Sequence, residues 1–215
     1  MKLFIGIDPS INSTGLCILG YDDNDIKIHE SFYIIKPEKL TKKEQKAEKE
    51  LQNFKYLIYP KYDLNQYKEI NHLHEYYKTI NMSNLVETIY NKIVDEMQTY
   101  IFDSNFESFI VIEGISYGSS IRTKSVFDLA GLNYLIRYKL IKVFEHSKFT
   151  IVPPSELKKF ISGKGNSNKD VMIELFKTIY PDFNLPKLDD IADAYFMASY
   201  AHHLDKYNEL YGYNR

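Results

Sequence analysis

The chain has 215 residues, enough for one domain, 1–215, with a sizeable core and room for a large insertion. Its 27 Lys and Arg against 29 Asp and Glu give a formal charge of −2, with 44% hydrophobic and 26% charged residues. That balance excludes a disordered chain and a protein that coats nucleic acid through bulk positive charge. One cysteine, Cys17, excludes an internal disulfide scaffold, and no apolar run approaches the roughly 20 residues that cross a bilayer. The start MKLFIGIDPS does not read as a signal peptide, so the expectation is a soluble cytoplasmic protein.

Residues 3–8 (LFIGID) form an apolar run closed by Asp8, which suits a buried strand opening into a site. After a turn through Pro9 to Ser13, residues 14–19 and 26–35 read as two more strands, and the short connections favour an antiparallel meander. Residues 36–80 differ: a Lys/Glu-rich stretch suggests a solvated helix, followed by a Tyr-rich stretch of weak periodicity. The alternative for this insertion is contact with a substrate. From 84 to 101 the residues Leu85, Ile89, Ile93 and Met97 recur every four positions, predicting a helix capped by Ser83 or Asn84. A strand at 109–112 ends at Glu113-Gly114, a helix covers 125–143, and a strand covers 149–152. Ser155 is expected to cap a short helix, a Gly-rich loop (162–166) leads to a helix at 168–179, and a last helix starts near Leu188. Alternating strands and helices after a meander predict an α/β layered fold with a mixed sheet.

Four acids stand where solvated surface charge would be odd. Asp8 and Glu113 end apolar strands, at the carboxyl edge where open α/β sheets bind ligands. Asp190 and Asp193 lie three apart on one face of the last helix, whose Ile191, Ala194, Ala198 and Ala201 let it lie close to a sheet. Singly, Asp8 suits a turn cap and Asp190 a helix N-cap. As a quartet they repel, and a divalent cation resolves that cost. Hard oxygen ligands without Cys or clustered His point to Mg²⁺, with Mn²⁺ as substitute, and two ions per site suit phosphodiester hydrolysis.

These residues carry a resemblance. Ile5-Gly-Ile-Asp-Pro-Ser-Ile-Asn-Ser-Thr-Gly15, Ile110-Val-Ile-Glu-Gly114, Pro154-Ser-Glu-Leu-Lys-Lys159 with Gly163-Lys-Gly-Asn-Ser-Asn-Lys169, and Asp190-Ile-Ala-Asp-Ala194 together resemble the motifs of RuvC-type Holliday junction resolvases, of the RNase H-like superfamily. The resemblance spans 3–35 and 84–202; residues 36–80 have no counterpart in compact bacterial members, which suits a phage or mobile-element version. It implies an RNase H-like fold with helices on both sheet faces, a homodimer, and an endonuclease that cuts four-way DNA junctions with paired symmetric nicks. It places Asp8, Glu113, Asp190 and Asp193 as metal-binding catalytic acids, the three-residue spacing selecting Asp190 over Asp189. Lys158 and Lys169 fall where the family's lysines support DNA binding or catalysis, and Tyr117 stands near the family's junction-stacking aromatic.

Between Gly118 and Lys169 ten Lys and Arg face only Asp128, Glu145 and Glu156, a local excess suited to phosphate contacts. Arg122, Lys124, Lys158, Lys159, Lys164 and Lys169 are the candidate DNA-binding cations, Lys164 within a loop able to present N–H groups to a phosphate. Two alternatives stay open: an RNase H-like nuclease of broader branched-DNA, flap or RNA–DNA hybrid specificity, and an actin-like or sugar-kinase ATPase, whose phosphate loop Gly6-Ile-Asp8 with Thr14-Gly15 also resembles.

Overall fold

The apolar runs become strands, and all six strands among the described residues join one sheet. The computed structural model describes residues 1–100, 102, 105–115, 124–143 and 148–211. Strands β1 (Lys2–Asp8), β2 (Thr14–Tyr21) and β3 (Lys27–Lys36) form the expected antiparallel meander. β4 (Phe54–Ile58) pairs parallel to β3, while β5 (Glu107–Glu113) and β6 (Lys148–Val152) add parallel to β1. The order is β4-β3-β2-β1-β5-β6, a mixed sheet. The helices are α1 (Lys42–Glu50), α2 (Asn71–Gln98), α3 (Lys124–Val143), α4 (Pro154–Ser162), α5 (Lys169–Ile179) and α6 (Leu188–Tyr211), with a 3₁₀ turn at Leu64–Tyr67.

Side-chain alternation along the strands divides the core into two layers. Leu3, Ile5, Ile7, Ile110 and Ile112 meet Leu85, Ile89 and Ile93 of α2 and Leu132 and Ile136 of α3. Phe4, Phe109 and Val111 face the other way, toward α4, α5 and α6. On that second face two glycines decide the spacing. A Cβ at Gly6 would lie 2.0 Å from the Ala194 carbonyl oxygen, and one at Gly15 would lie 2.0 Å from that of Asp190. The α6 backbone therefore rests directly on β1 and β2.

Three expectations are corrected. The 36–80 segment holds not only a solvated helix but a fourth strand, β4, whose buried Phe54 and Tyr56 alternate with exposed Lys55. The helix at α1 is stapled by a capping box between Thr41 and Glu44, whose carboxylate also accepts from Lys36 Nζ at 2.7 Å. Second, α2 begins at Asn71, so Ser83 and Asn84 lie mid-helix rather than at a cap. Asn84 Nδ2 donates to the Pro60 carbonyl at 2.8 Å, and Asn81 pairs with both Tyr62 N–H and C=O, at 2.7 and 3.0 Å. Those amides hold the chain after β4 against the helix. Third, the N-cap of α4 is Pro153, with Pro154 at the first turn, and Ser155 makes no capping bond.

Candidate active site

Parallel pairing sets the first two acids side by side. β1 and β5 run in register from Lys2↔Glu107 to Ile7↔Ile112, so Asp8 and Glu113 end neighbouring strands at the same edge. By strand alternation both positions lie on the face that meets α6, with Phe4 and Gly6 on β1 and with Phe109 and Val111 on β5. On β2, Gly15 is the cross-strand partner of Asp8, and the Asp190 main chain sits directly upon Gly15. The two glycines thus bring the first turns of α6, with Asp190 and Asp193, over the strand ends.

Electrostatics show the four acids acting on one another. Burial, then the charges of Glu113, Asp193 and Asp190, raise the Asp8 carboxyl well above its ordinary range. Glu113 is raised by burial, although a hydrogen bond from Asp8 and the nearby Lys158 and Lys169 oppose the rise. Burial raises Asp190 to about 6, and burial with the charge of Glu113 raises Asp193 to about 7.

The surrounding residues divide in the same way. Ser13 Oγ donates to Asp190 Oδ2, and Lys169 Nζ pairs with Asp189. Thr14 Oγ1 donates to the Ser10 carbonyl at 2.7 Å and fixes the turn that carries Ser13. Of the expected cations, Lys158 and Lys169 lie within electrostatic reach of Glu113 and Asp193. Lys159 is exposed on α4 and Lys164 is exposed on the following loop. That loop folds back on the start of α4, where a Cβ at Gly165 would lie 3.0 Å from the Ser155 carbonyl oxygen. Tyr117, Arg122 and the Lys124 side chain lie outside the described residues. Ser13 joins the site unpredicted, its only signal a place in the turn before Thr14-Gly15, and Asp189, weighed in the sequence only as the alternative to Asp190, joins as the partner of Lys169.

Among the described residues, no group of three or more His, Cys, Asp or Glu is closed around one point as a metal site is. Asp190 is turned onto Ser13 instead, and Lys169 onto Asp189. The donor set nevertheless fits a hard divalent cation, since every acidic group coupled at this edge offers carboxylate oxygen and their mutual repulsion calls for positive charge.

No family model and no curated protein matches the sequence. Among solved structures, Thermus thermophilus RuvC in complex with a Holliday junction substrate aligns with a TM-score of 0.51 at 13% identity, covering 95% of this chain and 96% of that one. A Thermus thermophilus RuvC structure aligns with a TM-score of 0.46 at 12% identity, covering 91% and 90%. The fold is thus RuvC-like, an RNase H-like α/β arrangement with a mixed sheet.

Proposed function

We propose that the protein is a structure-selective DNA endonuclease that resolves four-way junctions by divalent-metal-dependent phosphodiester hydrolysis. The observation that carries this reading is the mutual coupling of Asp8, Glu113, Asp190 and Asp193 at one sheet edge, produced by parallel register and two glycine contacts. The RuvC-like fold supports the substrate class, since the structure of similar fold holds a Holliday junction.

Asp8 and Glu113 would hold the cation from the sheet, and Asp190 and Asp193 from α6. Mg²⁺ at this edge supplies Lewis acidity toward a phosphoryl oxygen and lowers the pKa of water. Lys169 and Lys158 present positive charge beside the acids, where a phosphate arrives and negative charge develops in the transition state. Two copies related by a two-fold axis would place equivalent sites on a nearly two-fold junction and give paired nicks.

Asp8→Asn and Glu113→Gln are expected to bring nicking of a labelled synthetic junction in Mg²⁺ to background while gel-shift binding persists. Undiminished cleavage by either variant refutes the site. A Y-fork and an RNA–DNA hybrid cut as fast as the junction would replace junction selectivity with the broader nuclease reading.

A further inference from the structure

We propose that Tyr59, carried by the 36–80 insertion, is a positioning residue of the acidic site: its hydroxyl pins the turn between β1 and β2, and through Ser13 that turn orients Asp190 toward a divalent cation. This rests on the nuclease reading above and gives the insertion a part in it.

The topology brings the insertion to the catalytic edge. β4 runs parallel to β3, and β3 is antiparallel to β2, which is antiparallel to β1, so β4 ends at the same edge as Asp8. Tyr59 follows β4 directly, and its N–H donates to the Lys36 carbonyl at 3.2 Å, across the end of β3. Tyr59 is 1% exposed, and its O–H donates to the Ile11 carbonyl at 2.8 Å. Burial pushes the phenol up to about 12, so it stays a donor near neutral pH. Beyond Tyr59 the segment is anchored on α2 by Asn84 at Pro60 and by Asn81 at Tyr62.

The turn needs such a clasp. Ser10 and Thr14 close its ends, Ser10 N–H donating to Thr14 Oγ1 at 3.2 Å and Thr14 Oγ1 to the Ser10 carbonyl at 2.7 Å. Ile11, between them, is half-buried and flanks a cavity of about 130 Å³ that Tyr59, Leu64, Met82 and Leu85 also line. Packing leaves Ile11 room to move, and the Tyr59 hydroxyl removes that freedom. Two residues on, Ser13 Oγ donates to Asp190 Oδ2. Strand pairing sets Asp8 and Glu113, whereas Asp190 stands on another element and takes its orientation from Ser13. A hydrogen bond to a metal-binding carboxylate aims it and tunes the affinity for the ion.

The test compares wild-type protein with Tyr59→Phe, which keeps the ring and deletes the hydroxyl. Two Mg²⁺ titrations at fixed pH are read: single-turnover nicking of a synthetic junction, and the rise of the urea midpoint without DNA. In Tyr59→Phe half-maximal nicking is expected to need about tenfold more Mg²⁺, the low end for disturbing the hydrogen bonding behind a metal ligand. The onset of the rise in midpoint should move by the same factor, with junction Kd in EDTA unchanged. A hydroxyl that merely anchors the insertion would lower the midpoint in EDTA and leave both titrations in place, which overturns the proposal. In a Ser13→Ala background the hydroxyl deletion should no longer move either titration; an undiminished shift there overturns the route through the turn. Should Tyr59→Phe fail to fold, Asn84→Ala frees the Pro60 carbonyl next to Tyr59 and is expected to shift both titrations about threefold. Titrations unmoved in that variant overturn the proposal. Wild-type protein that Mg²⁺ stabilises but that nicks no junction sinks the nuclease reading, and the midpoints then decide this proposal alone. A wild-type midpoint indifferent to Mg²⁺ sinks both.

Discussion

Glu96, near the end of α2, and Asp8, at the end of β1, are both drawn away from solvent at opposite edges of the sheet, yet their surroundings are opposite in sign. Burial alone would push Glu96 up. It is held down at about 2 by hydrogen bonds from His29, Lys92 and Tyr33, and by the Lys92 charge. Lys92 Nζ lies at 2.8 Å, His29 Nε2 at 3.1 Å and Tyr33 OH at 2.5 Å. Asp8 has three acids for neighbours, and its carboxyl is pushed up rather than down. The contrast separates two uses of a buried carboxylate. One is neutralised by the chain itself and ties α2 to β3; the other belongs to a set of like charges that Lys158 and Lys169 only partly offset.

The harshest way to break this contrast is to move α6. Gly15→Ala places a methyl 2.0 Å from the Asp190 carbonyl oxygen, where main chain must shift. A loss of about 3 kcal/mol in urea unfolding is expected, together with loss of nicking, because Asp190 and Asp193 leave the strand ends. A destabilisation this large with full activity would show that α6 does not position the acids.

Removing the self-neutralised acid is milder. Glu96→Gln leaves Lys92 and His29 facing a neutral amide, and about 2 kcal/mol of stability should be lost with nicking by the folded protein retained. Unchanged stability would remove the structural half of the comparison.

The subtlest effect is on pH dependence in EDTA. Asp190 and Asp193, raised to about 6 and about 7, hold protons in the folded chain that the unfolded chain has released. Their contribution to stability is therefore complete below about pH 4 and is lost as pH rises toward 7. Glu96 runs the other way: its contribution is present above about pH 4.5 and is lost as pH falls toward 2. Urea midpoints measured from pH 4 to 8 should fall with pH, Asp193→Asn should flatten that slope, and Mg²⁺ at pH 8 should raise the midpoint. A flat profile in wild-type protein would contradict the repulsion among the acids.

Much of the architecture was legible from local pattern. The runs at β1, β2 and β5 are too apolar to be anything but buried strands, and the start of α5 follows from its cap Asn168. β4 was hidden because an edge strand with Lys55 exposed carries only a short alternation, beside a lysine-rich helix. The start of α2 was misplaced because Ser83 and Asn84 resemble caps, whereas Asn84 binds the main chain at Pro60 from mid-helix. Within the site, Asp8 and Glu113 were visible as charges ending apolar runs, and Asp190 and Asp193 as a pair three apart on one face of the last helix. Ser13 was not, since a serine in a turn is ordinary in any sequence, and Asp189 was visible only as a rival to Asp190, not as the partner of Lys169.

By itself, the order of residues determined most of the strands and helices, β4 and the start of α2 apart, and which acids stand at strand ends and in the first turns of the last helix, because periodicity acts over a few residues. Only the three-dimensional arrangement decided that four carboxylates from three distant segments influence one another and that Lys169 is engaged by Asp189. The reason is close packing: α6 descends onto β1 and β2 only because two positions on these adjacent strands, Gly6 and Gly15, far along the chain from α6, lack side chains at the place where its backbone arrives.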